Sequence, residues 1–276
     1  MNNFIIRAIS GLLFAGVFVV CILYSGTTFC LLFTIVTALA LDEFNSLVSK
    51  SGTASPNRTV TVLAGSYLFL ATYLFLSGRS SAGIFIPYVF SLIFILGSEV
   101  HRNTSHPVLN MAYSLAGQVQ IAFPFVLLNL LIDNEGSFSG LFPLAIFIFL
   151  WVNDTGAYIV GSLLHKRFPY QLAPSISPKK TWVGSIGGFL ICLATGAAIA
   201  SITQTHSILL WMGMALTAAI SGTYGDLIES MIKRQIGIKD SGRFLPGHGG
   251  VLDRFDSSLL AIPACTVYLY LSGCLA

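Results

Sequence analysis

Residues 206–256 read HSILLWMGMALTAAISGTYGDLIESMIKRQIGIKDSGRFLPGHGGVLDRFD. Up to Gly225 this stretch holds no Asp, Glu, Lys or Arg; from Asp226 to Asp256 it holds five of the chain's eleven acidic residues and five of its fourteen basic ones. An apolar run of about 20 residues is long enough to cross a bilayer as a helix. Ionised groups at its end are costly near lipid unless they have partners. The reading is a membrane-crossing helix that delivers a charged segment to one membrane face. Because folding in lipid gains nothing from that charge, it is expected to serve chemistry.

Working outward, the same contrast holds for the whole chain. Its 276 residues are 55% hydrophobic and only 9% charged, with a mean hydropathy of +0.82, whereas soluble domains carry roughly 25% charged residues. The polar stretches between apolar runs are too short to build a soluble core. The expected fold is all-α: a polytopic transmembrane helical bundle of about nine helices, at 8–24, 27–47, 58–77, 82–98, 108–132, 138–164, 181–203, 206–232 and 255–275. One membrane domain, 1–276, is expected, with 1–135 as scaffold spans and 136–276 carrying the chemistry. Turns are marked by Ser25-Gly26, Ser77-Gly78 and the run from Ser137 to Gly140. Pro87, Pro124 and Pro143 fall inside expected spans and would be tolerated there as kinks. The start, Arg7 followed by an apolar run, reads as an uncleaved first helix. Cys21, Cys30, Cys192, Cys265 and Cys274 lie in or beside apolar spans with no metal-ligand spacing, and are expected to pack as small hydrophobes. The formal charge of +3 is modest, and no nucleic-acid partner is expected.

The positive charges are distributed asymmetrically. With the N-terminus inside, Arg7, Lys50, Arg58, Arg102, Lys166, Arg167, Lys179, Lys180, Lys233, Arg234, Lys239, Arg243 and Arg254 all fall on the cytoplasmic side, and only Arg79 falls outside. That bias predicts an N-in, C-out chain in the inner (cytoplasmic) membrane. The polar loops 165–180 and 233–254 then both face the cytoplasm, within reach of phosphorylated water-soluble substrates and of inner-leaflet head groups. No internal repeat suggests the inverted halves of a transporter.

Within the charged stretch, Asp226, Glu229, Ser230 and Lys233 are spaced i, i+3, i+4 and i+7, and share one face of a helix. Asp253 and Asp256 are also three apart, at the start of the last expected span. Two carboxylate pairs at helix ends suit a hard cation such as magnesium, which is held by one or two carboxylates and completes its shell with water and phosphate oxygens. Interfacial salt bridges, such as Asp253 with Arg254 or Lys233, are the alternative. Between the pairs, Pro246-Gly247-His248-Gly249-Gly250 permits close backbone approach to a phosphate or ribose. His248 reads equally as a donor to phosphate or as a turn residue.

A second segment lies upstream. Asp154 sits towards the cytoplasmic end of the span 138–164, and an intramembrane carboxylate points to function, with a lysine or a metal as its partner. The string SISPKKTW (Ser175 to Trp182) follows. Lys179 and Lys180 read as an inside-positive flank with Trp182 as the interface aromatic. Ser177-Pro178 and Thr181 read in addition as the cap of a helix whose N-terminus suits an anion.

Three strings together resemble the integral-membrane phosphatidate cytidylyltransferases, or CDP-diacylglycerol synthases: SMIKRQIGIKDSGRFLPGHGGVLDRFDS (Ser230 to Ser257), NDTGAYIVG (Asn153 to Gly161) and SPKKTWVG (Ser177 to Gly184). The detailed match covers the C-terminal half, and Val183 stands where the family usually has Glu. The resemblance implies transfer of CMP from CTP to phosphatidic acid, giving CDP-diacylglycerol and pyrophosphate for phospholipid biosynthesis. It implies Asp226 and Asp253 as a magnesium-binding pair with a potassium ion nearby, and Asp256 beside them. Asp226, Asp253, Lys233 and Lys239 are then the catalytic set. Lys233, Arg234, Lys239, Arg243, His248, Gly249 and Gly250 would bind nucleotide phosphates; Ser177, Lys179, Lys180 and Thr181 the lipid phosphate; Asp154, Glu229 and Asp240 would support them. The family's dimeric habit implies a homodimer. The alternatives are a CTP-dependent enzyme with another lipid acceptor, and a membrane transporter.

Overall fold

The computed structural model describes residues 3–134, 137–238, 241–242 and 249–275, with backbone alone for 3–10 and 133–134. Helices dominate, as the composition requires. Among the described residues six are long and apolar enough to cross a membrane: Gly26–Lys50, Arg58–Leu76, Pro107–Leu131, Leu141–Leu164, Trp182–Thr203 and Ile208–Gln235. Apolar helices at Gly11–Tyr24 and Ala82–Ser98 are shorter. The chain divides into two compact units, Met1–Gly140 with Asp240–Phe255, and Leu141–Lys239 with Asp256–Ala276.

In the first unit, α1 (Asn3–Tyr24) gives way at Ser25 to α2 (Gly26–Lys50). Ser25 accepts a hydrogen bond from the Thr28 amide while Thr28 Oγ1 accepts from the Ser25 amide, a reciprocal cap that allows a one-residue turn. Then come α3 (Arg58–Leu76), α4 (Ile86–Ser98), α5 (Pro107–Gly117) and α6 (Phe123–Leu127), the last two joined by one π-helical turn at Gln118–Ala122. Strands β1 (Asp133–Asn134) and β2 (Ser137–Phe138) form a two-residue antiparallel ladder. The short helix α10 (Leu252–Phe255) returns to this unit. Its Phe255 ring lies 5.7 Å from Phe18 and 5.6 Å from Phe125, in a buried aromatic core that includes Phe29, Phe33 and Phe69. Burying a ring of this kind contributes about 1.5–3 kcal/mol, so the far end of the charged stretch is anchored by packing.

The second unit comprises α7 (Leu141–Leu164), the antiparallel pair β3 (Gln171–Ala173) and β4 (Ser177–Thr181), then α8 (Trp182–Thr203), α9 (Ile208–Gln235) and α11 (Ser258–Leu271). Helix α8 packs by bare backbone. A Cβ on Gly188 would stand 2.7 Å from the Asn153 carbonyl of α7, and one on Gly196 2.7 Å from the Trp211 carbonyl of α9. Small residues at such crossings let helices approach where lipid offers no hydrophobic drive to hold them together. Large apolar side chains such as Leu163, Leu190 and Ile202 point outward, as lipid-facing surfaces require.

Two expectations are corrected. Pro87 stands in the first turn of its helix, where a missing N–H breaks no bond, so it needs no kink; Pro124 lies inside the span Pro107–Leu131, directly after the π-helical turn that accommodates it, and among the described residues Pro263 lies inside α11. The expected span 255–275 is also not one helix. It breaks at Asp256, whose carboxylate accepts from the Ser257 amide at 2.6 Å.

Candidate active site

In the second unit a cavity of about 650 Å³ opens between α7, the β3–β4 hairpin, α8 and α9; Asp154, Tyr158, His165, Lys179, Lys180, Thr181 and Asp226 are among its lining residues. Each strand and helix brings one part. The β3–β4 register pairs Gln171 with Thr181 and Ala173 with Ser177, so SPKKT runs as an extended strand along the cavity. Thr181 ends the strand and caps α8, its Oγ1 accepting from the Gly184 amide at 3.2 Å. The cap expected at Thr181 is present; Ser177 belongs to the strand and takes no part in it. The N-terminus of the 22-residue α8 therefore opens beside two lysines, a combination that favours anions.

Lys180 Nζ stands 2.5 Å from Asp226 Oδ2, with both side chains about a quarter exposed. Ser230 donates to Asp226 Oδ1 at 3.1 Å, and Lys233 pairs with Glu229 one turn further on. The helical face inferred from the i, i+3, i+4, i+7 spacing is thus present on α9. Lys233 and Glu229 are both buried, so Lys233 is turned onto its own helix. The helix closes on Gly237 at φ +76°, with the Ile238 amide donating to Lys233 O and the Gly237 amide to Arg234 O, the bond pattern of a left-handed C-cap. Arg234 is exposed and donates to Ile238 O at 3.1 Å.

Asp256 lies in the turn ahead of α11, outside the membrane-spanning helices. Burial first, then the charges of Asp226 and Glu229, push its carboxyl up to about 8. Carboxylates crowded so closely gain from a cation. Asn153 is buried and donates to Thr223 Oγ1 at 3.2 Å, which ties α7 to α9 behind Asp154; Asp154 itself is exposed on the cavity wall. Val183 is the second residue of α8, half-buried.

Asp253 belongs to the first unit. Its Oδ2 accepts from the Ser241 amide at 2.9 Å and the Gly250 amide at 2.8 Å. Gly249 has φ +84°, and a Cβ there would stand 2.7 Å from Asp253 Oδ2. Here the glycines are required, one by backbone conformation and both by close approach. A residue that the motif reading missed is Glu43 of α2. It accepts from the Val251 amide at 2.9 Å, the Leu252 amide at 2.8 Å and Ser241 Oγ at 3.1 Å. The available signal was its place: a carboxylate inside the apolar run 27–47, next to Asp42, which pairs with Arg58. Lys239, Asp240, Arg243 and His248 lie outside the described residues.

The model of the cytidylyltransferase family matches residues 5–272. The chain belongs to that family. It is also similar to the phosphatidate cytidylyltransferases of Staphylococcus saprophyticus subsp. saprophyticus (46% identical over 125 residues, 45% of this chain and 46% of the relative) and Staphylococcus haemolyticus (45% over 125 residues, with the same shares). That of Staphylococcus aureus is 42% identical over 124 residues, again 45% and 46%. The matched stretch spans just under half the length of these relatives. The carboxylates of Asp154 and Asp226 on the cavity wall are hard oxygen donors of the kind that suit magnesium. Among the described residues no three His, Cys, Asp or Glu side chains form a metal-holding group.

Proposed function

We propose that this protein transfers CMP from CTP to phosphatidate, releasing pyrophosphate and leaving CDP-diacylglycerol in the membrane. Family membership and the relatives' names support the class of reaction. The observation that carries the reading is the contact between Lys180 and Asp226, which brings two sequence-distant parts of the resemblance to one cavity wall.

The attacking group would be the lipid phosphate, already largely ionised near pH 7 because its second pKa is about 6. No strong general base is then required, and the protein's work is positioning and charge neutralisation. Lys179 and Lys180, beside the N-terminus of α8, would take the phosphatidate head group. Lys180 is positioned to exchange Asp226 for a phosphate oxygen. Lys233, Arg234, Lys239, Arg243 and His248, with the amides of Gly249 and Gly250, are the proposed nucleotide-phosphate groups. Asp226 and Asp256 would hold magnesium, joined by Asp253 on the strength of the motif, with potassium as a second ion. When bound, magnesium supplies Lewis acidity and a template for phosphate oxygens. We further propose the nine-span, N-in, C-out arrangement, which places the site at the cytoplasmic face of the inner membrane; the positive-inside bias supports it.

The test is pyrophosphate release by the purified protein with phosphatidate, Mg²⁺ and one of CTP, dCTP, ATP or UTP. Release is expected with CTP well above ATP and UTP. Absence of CTP-dependent release would overturn the reading. Competition by a polyprenyl phosphate that suppresses phosphatidate turnover would move it to another lipid acceptor.

A further inference from the structure

We propose that Glu43 of α2 is a positioning residue for the segment that carries Asp253: a carboxylate clamp that fixes the start of α10 and, through it, the orientation of Asp253. The kinetic part of this proposal rests on the cytidylyl transfer proposed above; the structural part does not.

A carboxylate offers about four lone-pair sites. Glu43 uses three of them on one segment: the amides of Val251 and Leu252 and the hydroxyl of Ser241, at 2.9, 2.8 and 3.1 Å. The first amides of a helix have no partner within it. A one-turn helix such as α10 cannot stand by its own hydrogen bonds, since nucleation costs more than one turn returns. Glu43 therefore satisfies amides that α10 leaves open, from a residue about 200 positions away in sequence. Asp253 answers from inside the segment, accepting from Ser241 and Gly250. At the other end Phe255 is held in the aromatic core.

The fit leaves no slack. A Cβ on Gly242 would stand 2.5 Å from Glu43 Oε1, and one on Gly250 2.3 Å from Glu43 Oε2. Backbone is pressed directly against the carboxylate at both points. An acid so committed inside an apolar helix has no role in the packing of α2 itself, since a hydrophobic residue would fill that place at lower cost. Its contribution is to give Asp253 a single orientation.

The test compares wild type with Glu43→Gln and Glu43→Asp. Glutamine keeps the volume but turns one acceptor into an NH₂ that faces a donor. Two readouts are needed. Hydrogen exchange at the amides of Gly250, Val251 and Leu252, which requires no substrate, is expected to accelerate in Glu43→Gln while exchange in α3 and α7 stays unchanged. In the same folded preparation, kcat is expected to fall about 10- to 100-fold with the KM for phosphatidate within about twofold. A residue that only stabilised the fold would lower the yield of folded protein and leave kcat per folded molecule intact. Wild-type exchange at 250–252, or wild-type kcat, in folded Glu43→Gln would overturn the proposal. If Glu43→Gln does not fold, Glu43→Asp decides: it keeps the charge but cannot reach all three donors, and must show intermediate exchange and intermediate kcat. Wild-type values there would equally sink the clamp. A wild type with no CTP-dependent turnover removes the proposed function and leaves the exchange result to judge the clamp alone.

Discussion

Two pairs of carboxylates, one pair in each unit, are held by different means. In the first, Glu43 and Asp253 accept hydrogen bonds from backbone: Val251 and Leu252 amides on one, Ser241 and Gly250 amides on the other. In the second, Asp226 and Glu229 are neutralised by the lysines Lys180 and Lys233. An amide is part of the fold and cannot leave its acceptor without moving the chain. A lysine head group on four rotatable bonds can leave, and a partly exposed ion pair contributes only about 0–1 kcal/mol. Hydrogen bonds to a charged group contribute about 1.5–3 kcal/mol each. The first arrangement fixes where a carboxylate points. The second leaves it in an ion pair whose lysine is free to exchange partners, as the proposed function requires.

The largest expected effects come from removing one charge on each side. Asp253→Asn retains an oxygen that can accept from Ser241 and Gly250, so the turn survives while the charge is lost. Asp226→Asn retains the contact with Ser230 and releases Lys180. Each is expected to lower CTP-dependent turnover by roughly 10³-fold. The comparison is sharpened by thermal unfolding in detergent. Asp253→Asn should destabilise by about 1–3 kcal/mol, because it weakens charge-assisted bonds to amides; Asp226→Asn should change stability by less than about 1 kcal/mol. A reversed order of stabilities would mean that the backbone cage is not what holds Asp253.

Next in size is Lys180→Met, which removes the exchangeable partner and keeps the aliphatic stem. It is expected to cost about 10²-fold in kcat/KM, mainly as a raised KM for phosphatidate, with the fold intact. Lys179→Met, at an exposed neighbouring position of the same strand, should cost about tenfold or less. Equal losses at the two lysines would show that only the net charge of β4 matters and that the contact with Asp226 does not.

Much of this was legible in the sequence because it is local. Six spans among the described residues follow from apolar length alone, and the contacts of Ser230 with Asp226 and of Lys233 with Glu229 follow from the i, i+4 geometry of any helix. Thr181 announced itself as a cap by preceding an apolar run. What failed was non-local or short. The strand character of SPKKT depends on pairing with 171–173, and five residues with two lysines carry no strand periodicity of their own. The break at Asp256 depends on one side chain accepting its neighbour's amide. Glu43 was invisible as a partner because Ser241 and Val251 lie 198 and 208 residues further on. The carboxylate in an apolar run was visible, but what it served was not.

The smallest expected effect is also the most direct contrast, because each unit contains one serine that donates to a carboxylate at 3.1 Å: Ser230 to Asp226 and Ser241 to Glu43. By bond length and chemistry the two are equivalent, and deleting either hydroxyl removes one hydrogen bond to a charged group, worth about 1.5–3 kcal/mol. Their surroundings are not equivalent. Ser241→Ala leaves Glu43 with two amides and leaves the Ser241 amide on Asp253, so turnover should change by less than about twofold. Ser230→Ala leaves Asp226 with Lys180, the partner proposed to exchange for phosphate, so turnover should fall about two- to fivefold. Combined with Lys180→Met, Ser230→Ala should cost more than the sum of the two single changes, a coupling of about 0.5–1 kcal/mol. Additive losses in that double variant would mean that Asp226 is fixed by the fold after all, as Asp253 is.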